Sequence, residues 1–147
     1  MWADRVHIIL DDAAFVMHYL IKSFLVWLLF IPLAIANGAL RDLLLTPALG
    51  DTLGRAVSSL SLSLLILGLA VLLINRFGVN THARYLVVGA FWLVLTVLFE
   101  VSFSLLVMGH PMDELLMDYD IFRGRLWPVV LAATFFAPLL ASKMRKR

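Results

Sequence analysis

The chain has 147 residues, of which 63% are hydrophobic and 15% are charged, whereas an average soluble domain is about half apolar and a quarter charged. A single soluble core of this size cannot bury so much apolar surface, so the composition excludes an ordinary water-soluble domain and predicts an integral membrane protein. The formal net charge is only +2, and the sequence contains no cysteine, which excludes disulfides, thiolate metal sites and thiol nucleophiles.

The N-terminal segment precedes the most apolar part of the chain. Within residues 6–21, apolar side chains such as Ile9, Ala13 and Met17 recur at helical spacing, while Asp11 and its neighbours lie largely on other faces. This pattern predicts an amphipathic helix at the inner membrane surface, either separate from the first span or continuous with it.

Four apolar runs predict four membrane-spanning helices, because a spanning helix needs about 20 residues. The runs cover residues 23–40, 56–75, 85–108 and 126–141, and we expect them to form one all-α domain, a four-helix transmembrane bundle. The first run reaches spanning length by extending back into the preceding segment. The fourth is the shortest, and it covers only about 24 Å.

The connections between these runs differ in length. Residues 76–84 predict a short inner turn, and residues 41–55 and 109–125 predict two longer outer loops. In the second outer loop, Pro111 suits a first helical position and acidic residues follow it in the first turn. We therefore predict a short outer interfacial helix over residues 111–118.

The basic residues predict the orientation of the chain, because cytoplasmic loops carry an excess of Lys and Arg. With both termini in the cytoplasm, eight of the twelve basic residues lie inside, and Arg41, Arg55, Arg123 and Arg125 lie outside. The basic C-terminal tail is typical of a membrane-flanking anchor, so we expect no nucleic-acid partner.

Glu100 is the most informative polar residue, because it lies inside the third apolar run. It precedes Met108 by eight positions, which places it about 12 Å below the outer end of the helix. A charge near mid-membrane costs about 2.5–3.5 kcal/mol on insertion scales. We expect Glu100 to face the bundle interior, and two roles stay open, a functional carboxyl or a structural one that sets helix register.

Polar side chains from all four spans are expected to gather near Glu100 in the outer half. Asn37 and Arg41 share a helix face, Ser58 lies in the first turns of the second span, and Arg125 opens the fourth. The candidate polar cluster comprises Asn37, Arg41, Ser58, Glu100, His110, Asp118, Tyr119, Asp120 and Arg125. The inner half is nearly without polar groups, which favours an outward-facing pocket over conduction through one copy.

Aromatic and small residues add expectations about packing. Trp27 and Trp92 lie deep in their runs and are expected to pack between helices, whereas Trp127 is typical of an interfacial anchor. Ala34 and Gly38 form a small-x-x-x-small pair, which predicts the close approach of another helix from the same chain or from another copy.

No catalytic residue, metal site or cofactor is assigned from the sequence. The histidines lack metal-ligand spacing, and neither a phosphate-binding loop nor a dinucleotide fingerprint is present. An acid–base interpretation would use Glu100 or Asp118 as the base and an arginine as the anion clamp. A lipid-headgroup interpretation would use Arg41, Arg123 and Arg125 as phosphate partners.

Five short motifs are spread along the chain after residue 25. They are Asn37-Gly38-x-x-Arg41, Phe99-Glu100, Gly109-His110-Pro111, Asp118-Tyr119-Asp120 and Gly124-Arg125-Leu126-Trp127. Together they resemble a group of small uncharacterised bacterial four-helix membrane proteins. The resemblance implies a bacterial inner-membrane location and brings no activity with it.

The leading functional hypothesis is a non-enzymatic accessory or scaffold protein whose outer polar cluster orders the bundle or binds a lipid or protein partner. The expected partners are membrane lipid and either further copies of the chain or a larger membrane complex. Two alternatives stay open. One is a small transporter or channel that builds its pathway by oligomerising, and the other is an intramembrane enzyme acting on lipid headgroups.

Overall fold

A computed structural model describes residues 16–77, 81–109, 112–117, 119–121 and 125–144. All regular secondary structure within these residues is helical, and four of the helices are long and apolar enough to cross a membrane. The all-α prediction is therefore confirmed, together with the presence of four long apolar helices.

Helix α1 extends from Val16 to Leu49 and contains 34 residues. The predicted outer loop over residues 41–55 is wrong in its first part, because a π-helical segment, Arg41–Leu45, and a last α-helical turn, Thr46–Leu49, continue the helix. At about 1.5 Å per residue, α1 is about 51 Å long, more than the ~30 Å that one crossing requires. The polar pair that ends the apolar run therefore does not end the helix.

The N-terminal part of α1 overlaps the amphipathic helix predicted over residues 6–21. Residues 16–21 are helical and continuous with the apolar part of α1, while residues 6–15 lie outside the described residues. One irregularity follows at Leu29, whose N–H donates to the carbonyl of Val26 at 3.0 Å. Pro32 explains it, because proline lacks an N–H and its ring crowds the carbonyl four residues earlier.

The remaining helices agree with the predicted runs but have different ends. Helix α2 covers Asp51–Leu73 and continues as a 3₁₀ turn, Ile74–Phe77. Helix α3 covers His82–Phe103 and continues as a π-helical segment, Ser104–Met108. Helix α4 covers Met112–Met117, inside the predicted interfacial helix, and α5 covers Trp127–Met144.

A single residue separates α1 from α2. Gly50 has a φ of 82°, in the left-handed region that residues with a side chain rarely adopt. The chain reverses at this glycine, so the second helix begins at Asp51 rather than near the predicted residue 56.

Helix α5 packs extensively against both α2 and α3, and α1 packs against α2. Small side chains allow these approaches. On α2 the buried residues recur at every fourth position, namely Gly54, Ser58, Leu62, Ile66 and Ala70. On α3, Gly89 lies so close to α5 that a Cβ there would overlap the backbone carbonyl of Phe135.

Large apolar side chains cover much of the outside of the molecule. Leu43, Leu64 and Leu106 are 73%, 69% and 84% exposed. In each long helix, no more than 33% of the most apolar stretch is buried inside the protein. Water would disfavour such a surface, whereas lipid tails would not, so the four helices are compatible with a membrane protein.

The half of the molecule predicted to be inner, together with the middle of α5, contains more buried polar groups than the sequence indicates. Ser142 near the end of α5 and Thr134 midway along it are buried, and their hydroxyls donate to the carbonyls of Leu139 and Val130 within the same helix. Ser23 near the start of α1 is also buried, and its carbonyl accepts from the indole N–H of Trp92 at 2.9 Å.

Candidate functional site

A cavity of about 370 Å³ lies among α1, α2, α3 and α5 and is here called the central cavity. Aromatic rings form a large part of its wall, and they belong to Trp27, Phe30, Phe99, Phe103 and Trp127. Its polar lining residues are Asn37, Arg41, Ser58, Ser59, Thr96, Glu100 and Ser104. Cavities of this size, mostly apolar with a few convergent polar groups, are typical of small-molecule sites.

Contacts between α1 and α3 form the floor of the central cavity. The indole N–H of Trp27 donates to the hydroxyl of Thr96 at 3.0 Å, and the rings of Trp27 and Phe99 meet edge to face with centroids 6.2 Å apart. Trp92 is fully buried against Phe30 in a second edge-to-face pair. Both deep tryptophans therefore pack between helices, as predicted.

Small residues on α1 leave the space above this floor open. Ala34 and Gly38 both line the central cavity, and a Cβ built on Gly38 would meet nothing within 4 Å. Among the described residues, no helix therefore approaches Gly38 closely, and the close approach of another copy at this pair stays a prediction. The small side chains instead enlarge the cavity.

Glu100 faces the central cavity and holds two neighbouring segments. Its Oε2 atom accepts a hydrogen bond from the indole N–H of Trp127 at 2.6 Å and from the hydroxyl of Tyr119 at 3.2 Å. Hydrogen bonds to a charged group are shorter and stronger than neutral ones. The carboxyl therefore links α3 to the first turn of α5 and to the segment that precedes it.

Asn37 connects α1 to α2. Its side-chain N–H₂ group donates to the carbonyl of Ser58 at 3.0 Å and to the Ser58 hydroxyl at 2.7 Å. Its side-chain oxygen accepts from the hydroxyl of Ser61 at 2.8 Å. Asn37 is only 7% exposed, so these bonds satisfy an amide that would otherwise be costly to bury.

Three arginines meet beside the central cavity. Arg41, Arg55 and Arg125 line a second cavity of about 50 Å³, here called the arginine cavity. The central and arginine cavities share Arg41 and Trp127 as lining residues. The two sites are therefore adjacent, and the arginines lie at the end of the central cavity where α2 and α5 begin.

The structure brings together most of the residues selected from the sequence. Those that line the central cavity are Asn37, Arg41, Ser58 and Glu100, while Tyr119 donates to Glu100 and Arg125 lines the arginine cavity. Asp120 lies next to this group, and its carbonyl accepts from the N–H of Arg125 at 3.3 Å. His110 and Asp118 lie outside the described residues.

Sequence reasoning missed two contributors to the site. Trp127, expected to be an interfacial anchor, is a donor to Glu100, and Arg55 belongs to the arginine cavity. A signal existed for Arg55, because it precedes Ser58 by three residues and so shares its helix face.

The site combines an apolar cavity, a hydrogen-bonded carboxyl on the cavity wall and guanidinium groups at one end. Such a site can hold an amphiphilic molecule and discriminate among its polar groups. Within the described residues, no group of three or more His, Asp or Glu side chains is arranged to hold a metal ion. Comparison of the chain with protein-family models, with curated proteins and with solved structures finds no match to any of them.

Proposed function

We propose that this protein is a small integral membrane accessory protein that binds a membrane lipid in the central cavity. The observation that carries the proposal is the cavity itself, about 370 Å³ in volume, with aromatic and aliphatic walls and a few polar groups. An acyl chain gains from contact with such walls, and the polar groups select what is attached to it. In this proposal Glu100 is structural, and it orders a transmembrane bundle around the lipid.

Of the two alternatives, a transporter or channel would have to build its pathway between copies of the chain, because a pathway through one copy has little support. Beyond the floor formed by Trp27 and Trp92, the core continues as buried Ala70, Ile74 and Val88. A transport pathway needs polar groups or water along its full length, whereas the buried hydroxyls of Thr134 and Ser142 donate to carbonyls of their own helix, so this mostly apolar core supports binding. An enzyme acting on lipid headgroups would use the same cavity, and turnover of bound phospholipid by the purified protein would distinguish it.

Filling the central cavity tests the proposal. Ala34 lines the cavity, so Ala34→Phe places a ring in the space that the lipid would occupy. Native mass spectrometry from mild detergent is expected to show lipid on the unmodified protein and about tenfold less on the variant, equivalent to a loss of about 1.4 kcal/mol.

The matched control is Ala36→Phe, because Ala36 lies on the same helix and is exposed. This variant should keep its lipid. Equal retention by the two variants would place the lipid outside the central cavity and contradict the proposal. If Ala34→Phe instead removed a dimer mass and left lipid unchanged, the occupant would be a second copy of the chain.

We further propose a bacterial inner-membrane location with both termini in the cytoplasm. The basic count supports this proposal, because eight of the twelve Lys and Arg residues lie in the segments assigned to the cytoplasm. Two of these eight lie together in the structure, since the Lys22 ammonium donates to the carbonyl of Arg76 at 3.4 Å. Arg41, Arg55 and Arg125 gather at the opposite ends of their helices.

The absence of cysteine makes this topology directly measurable. Single cysteines at the exposed positions Thr52 and His82 lie near opposite ends of the helices. In spheroplasts, a membrane-impermeant maleimide is expected to label Thr52→Cys at once and His82→Cys only after permeabilisation. The reverse pattern would overturn the proposed orientation.

A further inference from the structure

The helices around the central cavity do not pack equally against one another. Helix α5 packs extensively against α2 and α3. The Phe30–Leu40 part of α1 packs on α2 but makes few contacts with the α-helical part of α3, His82–Phe103, and all residues of both stretches are described. The wall of helices is therefore closed where α1 meets α2, where α2 meets α5 and where α5 meets α3, and it is open between α1 and α3.

The floor of the central cavity limits this opening on one side. The indole N–H of Trp27 donates to Thr96, and the Trp27 ring meets Phe99 edge to face, so α1 and α3 are joined at this level. Further along α1, a Cβ built on Gly38 would meet nothing within 4 Å. The opening between α1 and α3 therefore lies on the Arg41 side of the floor.

The exposed residues of the cavity wall mark the two edges of this opening. Among the described residues that line the central cavity, the exposed ones are Ile35, at 58%, and Phe103, at 36%. Ile35 belongs to α1 and Phe103 to α3, so the wall reaches the surface on both sides of the gap. Phe103 stacks on Phe99, with ring centroids 5.5 Å apart. The opening flanked by Ile35 and Phe103 is here called the lateral mouth.

The lateral mouth lies at the depth of lipid chains rather than of headgroups. Ile35 precedes Arg41, the first charged residue after the apolar run, by six residues, which is about 9 Å along the helix axis. On the other edge, Leu106 lies about one turn beyond Phe103 and is 84% exposed. Both edges of the mouth are apolar and belong to an apolar surface, so the mouth admits hydrocarbon and offers no hydrogen bond to a headgroup.

We infer that the central cavity takes up an acyl chain sideways from the bilayer, through the lateral mouth, while the headgroup of the lipid stays at the membrane surface. This inference rests on the proposed function. The chain moves from one apolar environment to another without crossing water, so its entry has no cost of exposing hydrocarbon. Contacts with the aromatic wall replace the contacts with neighbouring lipid chains. The ligand is therefore a membrane lipid with a flexible chain rather than a molecule dissolved in water.

The absence of cysteine from the sequence allows the lateral mouth to be closed chemically. In the double variant Ile35→Cys/Phe103→Cys the two thiols flank the mouth. A bis-maleimide with a spacer of about 10–12 Å, the diameter of one helix, is expected to join them.

Lipid exchange is then compared before and after linking. The variant, freed of lipid in detergent, is mixed with phosphatidylethanolamine, and lipid uptake is followed over time by native mass spectrometry. Linking is expected to slow uptake about tenfold, equivalent to a barrier raised by ~1.4 kcal/mol. Linking after the lipid has bound should slow its release by a similar factor, because the chain leaves by the same route.

The matched control pair is Ala36→Cys/Phe103→Cys. Ala36 is exposed and follows Ile35, but it does not line the central cavity, because successive residues of a helix lie about 100° apart around its axis. This pair should therefore react with the linker more slowly. Failure of the Ile35 pair to link, or equally fast linking of the two pairs, would contradict the position of the mouth.

The remaining outcomes separate the inference from the proposed function. Uptake at an unchanged rate after linking would overturn the lateral route and leave lipid binding intact. If the unmodified protein took up no lipid, the proposed function would be wrong, and the lateral route with it.

Discussion

Replacing Gly89 with alanine is expected to lower the free energy of unfolding by about 1–3 kcal/mol, the usual cost of overpacking a well-packed core. A Cβ at this position would overlap the carbonyl oxygen of Phe135 and lie 2.9 Å from its carbonyl carbon. The neighbouring atoms belong to the backbone of α5, which cannot rotate away as a side chain can. The α3–α5 contact must therefore open, and thermal denaturation in detergent should report the loss.

Gly68→Ala is the matched control for this change. Gly68 is also a helical glycine, but a Cβ there would meet nothing within 4 Å. Alanine favours a helix over glycine by about 1 kcal/mol at either position, so this gain is common to both variants. If Gly89→Ala melted at the same temperature as Gly68→Ala, the close approach of α3 and α5 would be wrong.

The second prediction concerns the Glu100 carboxyl. Glu100→Leu is expected to lower the free energy of unfolding by about 1.5–3 kcal/mol, the usual contribution of hydrogen bonds to a charged group. The change leaves the indole N–H of Trp127 and the hydroxyl of Tyr119 without this acceptor. Removing the carboxyl also removes the cost of placing it in the apolar layer, but this gain does not offset the lost hydrogen bonds. The unfolded chain stays inserted in the membrane, so the cost is the same in the folded and the unfolded states and does not change the free energy of unfolding.

Two further variants identify the contact responsible. Glu100→Gln keeps one acceptor oxygen and should lose about half as much stability. Trp127→Phe keeps an aromatic ring and removes the indole donor, so its effect should not add to that of Glu100→Leu. In this double-mutant cycle we expect a coupling of about 0.5–3 kcal/mol. Strict additivity, or an unchanged melting temperature for Glu100→Leu, would contradict the structural role and favour the functional one.

The ends of the helices show where sequence patterns stop being informative. Arg41 and Asp42 follow an apolar run and therefore predict a loop, yet α1 continues to Leu49. Hydropathy tracks the surroundings of a residue, whereas helix continuation depends on backbone hydrogen bonds, which polar residues can maintain equally well. Gly50, with its positive φ, ends the helix. The backbone conformation of a single glycine cannot be predicted from the sequence.

The sequence predicted which residues belong to the candidate site better than it predicted the contacts among them. The positions of Glu100, Asn37, Arg41 and Ser58 in the apolar runs predicted that they share the outer half, and the structure shows these four around one cavity. Their partners were not predictable. Trp127 meets Glu100 across 27 residues of chain, and Trp27 meets Thr96 across 69. Such pairings depend on how each helix is rotated about its axis. The sequence of a weakly amphipathic apolar helix does not indicate this rotation, because no face is clearly more polar than the others.

By itself, the sequence determined that this protein is helical, that four of its helices are apolar enough to cross a membrane, and that a carboxyl lies within one of them. These properties are local, because each depends on the composition and period of a single segment. Tertiary structure alone decided that α1 and α3 join at Trp27 and leave a cavity beside Ala34, and that three arginines meet at its end. The physical reason is that close packing selects one rotation and one spacing for each helix from many that lipid would accept equally well.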